Sequence, residues 1–120
     1  MAKRVLIADG ALFMRATLRK LLLLNGFNVV GEAETGIEAV KQFAKLKPDL
    51  VMMDISLPDL DGMAVLKEIR KVDPNARVVI CTAMGQKSVV LEAVQAGAND
   101  FIVKPFQPER LVEAVKKQVA

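Results

Sequence analysis

Length, composition and charge describe a small chain with a core of its own, and they exclude several classes of protein. The 120 residues suit one domain, and 52% of them are hydrophobic and 26% charged, which argues against disorder. The formal net charge of +3 comes from Lys and Arg scattered along the chain, and the only aromatic residues are five Phe, so we expect no nucleic-acid binding.

The absence of histidine removes further functions. Without it the chain has no Ser-His or Cys-His nucleophile pair and lacks the commonest zinc ligand.

The single Cys81 lies in an apolar segment, where we expect a small buried hydrophobe. No apolar run approaches membrane-spanning length and the N-terminus lacks a signal-peptide pattern. We therefore expect a cytoplasmic protein without membrane insertion.

The first half of the chain predicts three strands alternating with two helices. Aliphatic runs at 4–8, 27–33 and 50–54 have the character of strands buried on both faces. Apolar residues at helical spacing predict a helix over 11–24, which Gly26 ends. A second helix follows a capping box formed by Thr35 and Glu38, in which each side chain accepts a hydrogen bond from the other residue's amide. It ends before Pro48.

The second half continues the alternation with a helix over 63–72, strands at 77–82 and 101–104, and a last helix that Pro108 begins. Between these strands lies a fourth helix that Gly97 ends, and four of its residues are expected to face the core: Val89, Val90, Ala93 and Val94. Five strands alternating with five helices, joined by long crossovers, predict an α/β fold with a doubly wound parallel sheet.

The first helix also carries apolar residues away from its core stripe. Leu12 and Leu23 fall together on a face outside that stripe, which consists of Met14, Leu18, Leu21 and Leu22. They could form an exposed apolar patch, although single surface leucines are common in soluble proteins.

Polar residues stand where four of the predicted strands end. Asp9, Asp54, Thr82 and Lys104 would meet at one edge, because the carboxyl ends of parallel strands lie together and ligands bind there. Each has an ordinary explanation alone, such as a helix cap or a loop residue. The four together favour a site for phosphoryl transfer, with Asp54 as nucleophile, Lys104 paired with the transferred group, and Mg²⁺ between the carboxylates.

The motifs around these positions resemble the response-regulator receiver family, and in particular its stand-alone chemotaxis members. The resemblance covers the whole chain. It rests on Asp9, on Asp-Ile-Ser-Leu-Pro at 54–58 with Gly62, on Thr82-Ala83, on Ala-Gly-Ala at 96–98 and on Lys-Pro-Phe at 104–106. It implies a five-stranded parallel sheet in the order 2-1-3-4-5, in a single receiver domain over residues 1–120.

The resemblance also implies roles for the pocket residues. Asp54 corresponds to the phosphoacceptor, Lys104 to the pocket cation and Asp9 to a member of the acidic pocket. Ser56 corresponds to the residue whose backbone carbonyl binds the metal. Such a protein accepts, and at most hydrolyses, a phosphoryl group, so we do not expect an enzyme in the ordinary sense.

Further correspondences concern the output of the signal. Thr82 resembles the hydroxyl residue that moves toward the phosphoryl group, and Phe101 resembles the aromatic residue that turns inward with it. With Val103 and Phe106, Phe101 would belong to an output face. The peptide bond before Pro105 is expected to be cis.

The implied partners are proteins. A sensor histidine kinase would supply the phosphoryl group, and a downstream protein, the flagellar motor switch if the system is chemotactic, would receive the signal. We expect the chain to act as a monomer.

One pocket position departs from the family pattern. Receivers usually carry two adjacent acids after the first strand, and the second is generally a direct metal ligand, whereas this chain has Asp9-Gly10. The loss should weaken Mg²⁺ binding and lower the pKa of Asp54 relative to a pocket with both acids. Two interpretations follow: a working phospho-switch with weakened metal binding, and a degenerate receiver that acts as a phosphorylation-independent interaction module. The retained Asp54, Thr82 and Lys104 favour the first.

Two other classes share parts of the pattern. A flavodoxin-type electron carrier would have the same architecture, but the chain has neither Trp nor Tyr to stack on a flavin. The sequence would also suit a receiver excised from a larger DNA-binding regulator.

Overall fold

The computed structural model describes residues 2–120 as a five-stranded parallel sheet covered by helices on both faces. Strands and helices alternate along the chain as predicted. The elements are β1 Arg4–Ala8, α1 Leu12–Leu24, β2 Asn28–Ala33, α2 Gly36–Leu46, β3 Leu50–Met53, α3 Gly62–Val72, β4 Val78–Thr82, α4 Lys87–Gln95, β5 Asp100–Val103 and α5 Pro108–Val119. Within residues 2–120, every helix is too short or too polar to cross a membrane.

The strand order is β2-β1-β3-β4-β5, which confirms the predicted topology. All neighbouring strands are parallel, and the register pairs Ala8 of β1 with Met53 of β3. The residues that follow these two strands, Asp9 and Asp54, therefore lie side by side. The order reverses between β1 and β3, which is the place where open α/β sheets bind their ligands.

The core has two halves, one on each side of the sheet. On one side α1 and α5 cover the sheet with residues such as Leu18, Leu22 and Leu111. On the other side α2, α3 and α4 contribute residues such as Phe43, Leu66 and Ala93. The three central strands are almost entirely buried, which explains why their sequences are continuous aliphatic runs.

The helix ends follow the predicted signals with one exception. The Thr35 side chain accepts a hydrogen bond from the Glu38 amide, and Pro108 is in the first turn of α5. The other half of the capping box is not formed, because the Glu38 carboxylate accepts a hydrogen bond from the Gln42 side chain one turn along the helix. Asp59, from the loop after β3, accepts hydrogen bonds from two other amides at the start of the helix, those of Gly36 and Ile37. The start of α2 is thereby tied to the loop that carries Asp54.

Helix α4 is less buried than its sequence predicts. Ala93 is fully buried and Val89 packs partly against the core, but Val94 is 57% exposed, so the prediction that it faces inward is wrong. Helix α4 has only nine residues and packs over β5 at the edge of the sheet, where it presents a narrow buried stripe. Val90 is half-buried, and Leu91 faces solvent like Val94.

Candidate phosphoacceptor site

The four polar residues expected at one edge of the sheet are brought together there. Asp9 follows β1, Asp54 follows β3, Thr82 is the last residue of β4 and Lys104 follows β5. Backbone hydrogen bonds align these strand ends: Asp54 N is 2.9 Å from Ala8 O, and Lys104 N is 2.8 Å from Thr82 O. The lysine side chain can therefore pass over β4 toward the end of β3.

The Lys104 ammonium lies between two carboxylates. Its Nζ is 2.7 Å from Asp9 Oδ2 and 2.9 Å from Asp54 Oδ2. The exposed fractions of the side chains are 13% for Lys104, 3% for Asp9 and 12% for Asp54. Groups this far removed from water depend on one another, because only their partners replace the lost hydration.

Backbone amides hold the second oxygen of each carboxylate. Asp9 Oδ1 accepts a hydrogen bond of 2.9 Å from the Ala11 amide, and Asp54 Oδ1 accepts one of 2.9 Å from the Ser56 amide. Each carboxylate is thus fixed at both ends, with one oxygen toward the lysine and the other toward its own loop. Fixed carboxylates of this kind are ready to react without prior reorganisation.

Electrostatics keep both Asp54 and Lys104 charged. Burial by itself would raise the pKa of Asp54, but the hydrogen bond from the Ser56 amide and the side chains of Lys104 and Thr82 lower it below the ordinary 3.8. Burial would likewise lower the pKa of Lys104, but its contacts with Asp9 and Asp54 raise it above 10.5. At neutral pH the Asp54 carboxylate is therefore available as an anionic nucleophile beside a permanent cation.

Arg15 is a supporting residue that the sequence analysis missed. Its Nη1 donates a hydrogen bond of 2.7 Å to the Asp9 carbonyl, and its Nε lies 3.3 Å from a carboxylate oxygen of Glu32 on β2. The guanidinium anchors the main chain at Asp9, directly before Gly10. Its signal in the sequence was weak, because one arginine on a helix gives no indication that it reaches back to the preceding loop.

Met84 is a second residue whose position the sequence did not reveal. The Ser56 hydroxyl donates to Met84 Sδ at 3.1 Å, and the Met84 amide donates to Thr82 Oγ1 at 3.3 Å. Met84 is 39% exposed and lines a cavity of about 300 Å³ beside the loop that follows Asp54. Ser56 and Thr82 are thus linked through one residue at the rim of the site, by the side chain and the backbone amide of Met84.

The oxygen atoms present suit Mg²⁺, with one carboxylate fewer than the family pattern. The carboxylates of Asp9 and Asp54 lie close enough together to share the Lys104 ammonium, and hard oxygen donors are the ligands that Mg²⁺ prefers. Residues 2–120 contain no cluster of three or more His, Cys, Asp or Glu side chains that could hold a metal ion. Gly10 adds no side chain, although a Cβ there would lie at ordinary contact distances of 3.5 Å from Pro58 and 3.7 Å from the Glu34 carbonyl.

The three residues expected at an output face lie around the edge strand β5. Phe101 is half-buried and packs against the half of the core that α2, α3 and α4 cover. Phe106 packs against the other half, which α1 and α5 cover. Val103 is 43% exposed between them, and Leu91 and Val94 of α4 are also exposed. The peptide bond between Lys104 and Pro105 is cis, as expected.

Cys81 is buried next to the site and takes no part in it. Burial raises the pKa of its thiol to about 12, with only partial opposition from the Lys104 ammonium. We expect the folded protein at pH 8 to be alkylated by iodoacetamide about a thousandfold more slowly than the chain unfolded in guanidinium, because so little thiolate is present. Peptide mass spectrometry measures both rates. Similar rates in the two states would show that Cys81 is accessible and would contradict the burial described here.

Comparison with known proteins identifies the family of this chain. The family model of the response regulator receiver domain matches residues 5–116, and the chain belongs to this family. Its similar relatives include the chemotaxis protein CheY of Thermotoga maritima, 55% identical over 117 residues, and that of Bacillus subtilis, 54% identical over the same length. Each alignment covers 98% of this chain and 98% of the relative.

Solved structures agree with this assignment. A crystal structure of a CheX-CheY-BeF3-Mg²⁺ complex from Borrelia burgdorferi superposes with a TM-score of 0.95 at 32% identity, over 98% of this chain and 90% of that one. The response regulator domain of Thermotoga maritima CheB superposes with a TM-score of 0.87 at 33% identity, over 99% and 94%. The fold and the response-regulator class are therefore established, and the flavodoxin alternative is set aside.

Proposed function

We propose that this protein is a phospho-accepting response regulator of a two-component system, and that phosphorylation of Asp54 changes which protein it binds. The observation that carries the proposal is the buried Lys104 ammonium between Asp9 and Asp54, 2.7 and 2.9 Å from their oxygens. That arrangement supplies a nucleophile, a charge-neutralising cation and a second carboxylate in one place.

The chemistry is a transfer of a phosphoryl group to a carboxylate oxygen. An Asp54 oxygen attacks phosphorus, the new bond from oxygen to phosphorus forms, and the bond from phosphorus to the donor breaks with its electron pair leaving on the donor. Lys104 keeps its contact with Asp9 and neutralises charge on the phosphoryl oxygens. A Mg²⁺ held by Asp9, Asp54 and the Ser56 carbonyl would supply further neutralisation of that charge.

Gly10 makes the metal the weak component of the site. Metal affinity of oxygen sites depends on the number of anionic ligands, and this pocket offers the two carboxylates of Asp9 and Asp54. We therefore propose that the protein binds Mg²⁺ less tightly than a receiver with a second acid after Asp9. Arg15 donates a hydrogen bond to the Asp9 carbonyl and so restrains the main chain directly before Gly10.

Thr82 and Phe101 are proposed to carry the signal to the edge of the sheet. Thr82 Oγ1 is engaged with the Met84 amide and is adjacent to the phosphoacceptor, so a new anion at Asp54 offers it a stronger acceptor. Movement of Thr82 would open space near the half-buried Phe101. The output surface then comprises the exposed residues of α4 and β5, with Val103 at its centre and Phe106 at its border.

The coupling can be tested with the variant Thr82→Ala. Phosphorylated wild-type protein is expected to show amide NMR shifts at Phe101 and Val103, whereas Thr82→Ala is expected to accept the phosphoryl group while those shifts largely disappear. The matched control is Thr17→Ala, which removes a hydroxyl from the surface of α1. Full output-face shifts in phosphorylated Thr82→Ala would contradict the proposed route.

The proposed partners follow from the relatives. Chemotaxis proteins at more than half identity support a chemotactic role, with a sensor histidine kinase as phosphodonor and the flagellar motor switch, or a protein resembling CheX, as downstream target. We propose a cytoplasmic monomer that acts by protein binding, without contact to nucleic acid.

A second candidate function is that of a phosphorylation-independent interaction module. The presence of Gly10 in place of an acid favours it. It predicts that an Asp54→Asn variant signals normally in cells and that purified protein gains no phosphoryl group. The intact set of Asp54, Thr82 and Lys104 favours the phospho-switch, because an interaction module has no need of a buried lysine between two carboxylates.

A further inference from the structure

Helices α2 and α3 each place two lysines at the centre of the surface that faces solvent. Lys41 and Lys45 are four residues apart on α2, and Lys67 and Lys71 are four residues apart on α3. Residues at this spacing are neighbours on one side of a helix, about 6 Å apart along its axis. All four lysines are exposed, whereas the buried residues of each helix face the sheet.

The fold brings the two lysine pairs side by side, although they are distant in sequence. Both helices have 11 residues, and each has its first lysine at the sixth position and its second at the tenth. Near their N-terminal ends the helices approach closely, since a Cβ on Gly36 would lie only 2.7 Å from Val65 of α3. At the other ends Lys47 and Val72 line one cavity of about 220 Å³. Helices in contact lie about 8–10 Å apart, so the four lysines share one small area.

A fifth lysine extends this area in an unusual backbone conformation. Lys47 ends α2 with a φ of 48°, the one positive φ among the non-glycine residues of 2–120. Helices that end in this conformation usually have glycine there, because a Cβ is strained. The chain thus keeps a lysine where glycine would fold more favourably, and strained residues are concentrated at functional sites. We call the five residues the lysine face: Lys41, Lys45, Lys47, Lys67 and Lys71.

Nearby acids neutralise little of the lysine face. Among residues 2–120, Lys71 alone of the five has a carboxylate within ion-pair distance, that of Glu68 at 3.0 Å, and both side chains are at least half exposed. Glu38 and Asp73, the other acids of this region, accept hydrogen bonds from groups in their own segments. The lysine face therefore presents a local excess of positive charge to solvent.

Helix stability accounts for only part of this pattern. Lys45 and Lys71 lie in the last turns of their helices, where a cation interacts favourably with the helix dipole. Lys41 and Lys67 lie in the middle of their helices, where that gain is absent, and like charges four residues apart destabilise a helix slightly. An ordinary solvent-facing helix mixes both signs of charge. The two central lysines therefore indicate a use other than folding.

The spacing and the neighbours of the lysines define the kind of partner. An acidic helix carries carboxylates about 6 Å apart at positions i and i+4, the same spacing as within each lysine pair. Anchoring to a membrane needs an inserted apolar group besides charge, but the apolar residues beside the central lysines are the small Ala44 and Ala64. Binding of single-stranded nucleic acid uses exposed aromatic side chains, and Phe43, the one aromatic residue of these helices, is buried.

We propose that the lysine face binds an acidic helical segment of a partner protein, with Asp or Glu repeated every three or four residues. Its carboxylates would pair with Lys41 and Lys45 on one side and with Lys67 and Lys71 on the other. The lysine face shares no residue with the output surface at α4 and β5, and binding there needs no phosphorylation of Asp54. Attraction between exposed charges gives fast association and an affinity that falls with salt.

A designed peptide pair tests this proposal on the unphosphorylated full chain. The probe is a helical peptide of about 18 residues with Glu at i, i+4 spacing on one side, Ala elsewhere and a single Trp. The protein has neither Trp nor Tyr, so the peptide fluorescence reports binding without background. We expect the acidic peptide to bind at about 50 mM NaCl and about tenfold more weakly at about 500 mM. A peptide with Gln in place of each Glu should bind at least about tenfold more weakly than the acidic one.

Matched variants locate the binding surface. The double variant Lys41→Gln/Lys67→Gln removes two charges from the centre of the lysine face and should weaken acidic-peptide binding by about tenfold. Lys116→Gln/Lys117→Gln removes two charges from α5, on the other side of the sheet, and leaves the same net charge. It should bind the peptide within about twofold of wild type, because exposed charges this far away are screened.

Thermal unfolding separates binding from folding. Lys41→Glu creates an attractive pair with Lys45 on α2, and Lys47→Gly removes the strained Cβ. Both variants should unfold at the temperature of wild type or above it, and both should bind the acidic peptide more weakly. Unfolding of both at clearly lower temperatures would show that the lysines serve the fold, and the proposal would fail.

Other outcomes would also overturn the proposal. These are no binding of the acidic peptide, equal binding of both peptides, and equal losses of affinity in the two double variants, which would reduce the effect to net charge. If the acidic peptide does not bind but vesicles of anionic phospholipid do, and Lys41→Gln/Lys67→Gln abolishes that binding, the lysine face is a membrane surface. The same result with duplex DNA in place of vesicles would identify a nucleic-acid surface.

Discussion

Replacing Lys104 by Met is expected to lower the free energy of unfolding at pH 7 by about 3 kcal/mol, although it keeps most of the side-chain length. The cause is the pair of carboxylates left behind. Asp9 and Asp54 are 3% and 12% exposed and both contact the same ammonium, so its removal leaves adjacent buried charges without a counterion. Chemical denaturation followed by circular dichroism measures the loss.

The pH dependence of this effect has a defined sign. In the wild type the lowered pKa of Asp54 contributes stability above pH 3.8, which is lost as pH falls through the folded-state pKa. The raised pKa of Lys104 contributes stability that is complete below pH 10.5 and is lost as pH rises through the folded-state pKa. In Lys104→Met the neighbouring Asp9 carboxylate should raise the pKa of Asp54 instead, so the loss of stability relative to wild type should shrink as pH falls from 7 toward 4.

A surface lysine provides the control. Lys71 pairs with Glu68 at 3.0 Å, but its side chain is 73% exposed. Lys71→Met should therefore change stability by less than about 0.5 kcal/mol at any pH in this range. If Lys104→Met changed the free energy of unfolding by the same amount and with the same pH dependence as Lys71→Met, the cluster of Asp9, Asp54 and Lys104 would not be coupled as described.

Replacing Gly10 by Asp is expected to tighten Mg²⁺ binding by about tenfold or more. The position tolerates a side chain, since a Cβ there would meet only Pro58 and the Glu34 carbonyl at ordinary distances. Gly10 is also absent from the glycines with positive φ, so the backbone needs no rearrangement. The new carboxylate would directly follow Asp9 in the chain and would add a third anionic oxygen donor to the site of Asp9 and Asp54. Isothermal titration calorimetry measures the affinity, because the protein has no Trp or Tyr to report it.

Gly10→Asn separates charge from shape in this experiment. Asparagine has nearly the size of aspartate but brings no negative charge, so it should recover only a small part of the gain. In Gly10→Asp the added carboxylate should also raise the pKa of Asp54 through like-charge repulsion, and NMR titration can detect this change. Unchanged Mg²⁺ affinity in Gly10→Asp would contradict the account of the departure from the family pattern.

The architecture could be predicted from the sequence because its signals are local and strong. The central strands are continuous aliphatic runs, and Pro108 and Thr35 mark helix starts by rules that depend on few neighbours. The strand-end residues Asp9, Asp54, Thr82 and Lys104 could be grouped by topology alone. Only the resemblance to a known family supplied the strand order.

Other features depend on packing that a sequence does not display. Val94 is apolar at helical spacing, yet it faces solvent because α4 covers only the edge of the sheet. Asp59 caps the amides of Gly36 and Ile37 because a loop distant in sequence comes within hydrogen-bonding distance of α2. The reach of Arg15 to the Asp9 carbonyl depends on a side-chain conformation and on Glu32, which belongs to another strand.

The central claim is that Asp54 accepts a phosphoryl group, and one measurement tests it most directly. Purified protein is incubated with a small acyl phosphate, with and without millimolar Mg²⁺, and examined by intact-mass and peptide mass spectrometry. We expect one phosphoryl group on the peptide that contains Asp54, more of it with Mg²⁺, and none in Asp54→Asn. No adduct at any Mg²⁺ concentration, or an equal adduct in Asp54→Asn, would contradict the assignment of Asp54 as the phosphoacceptor.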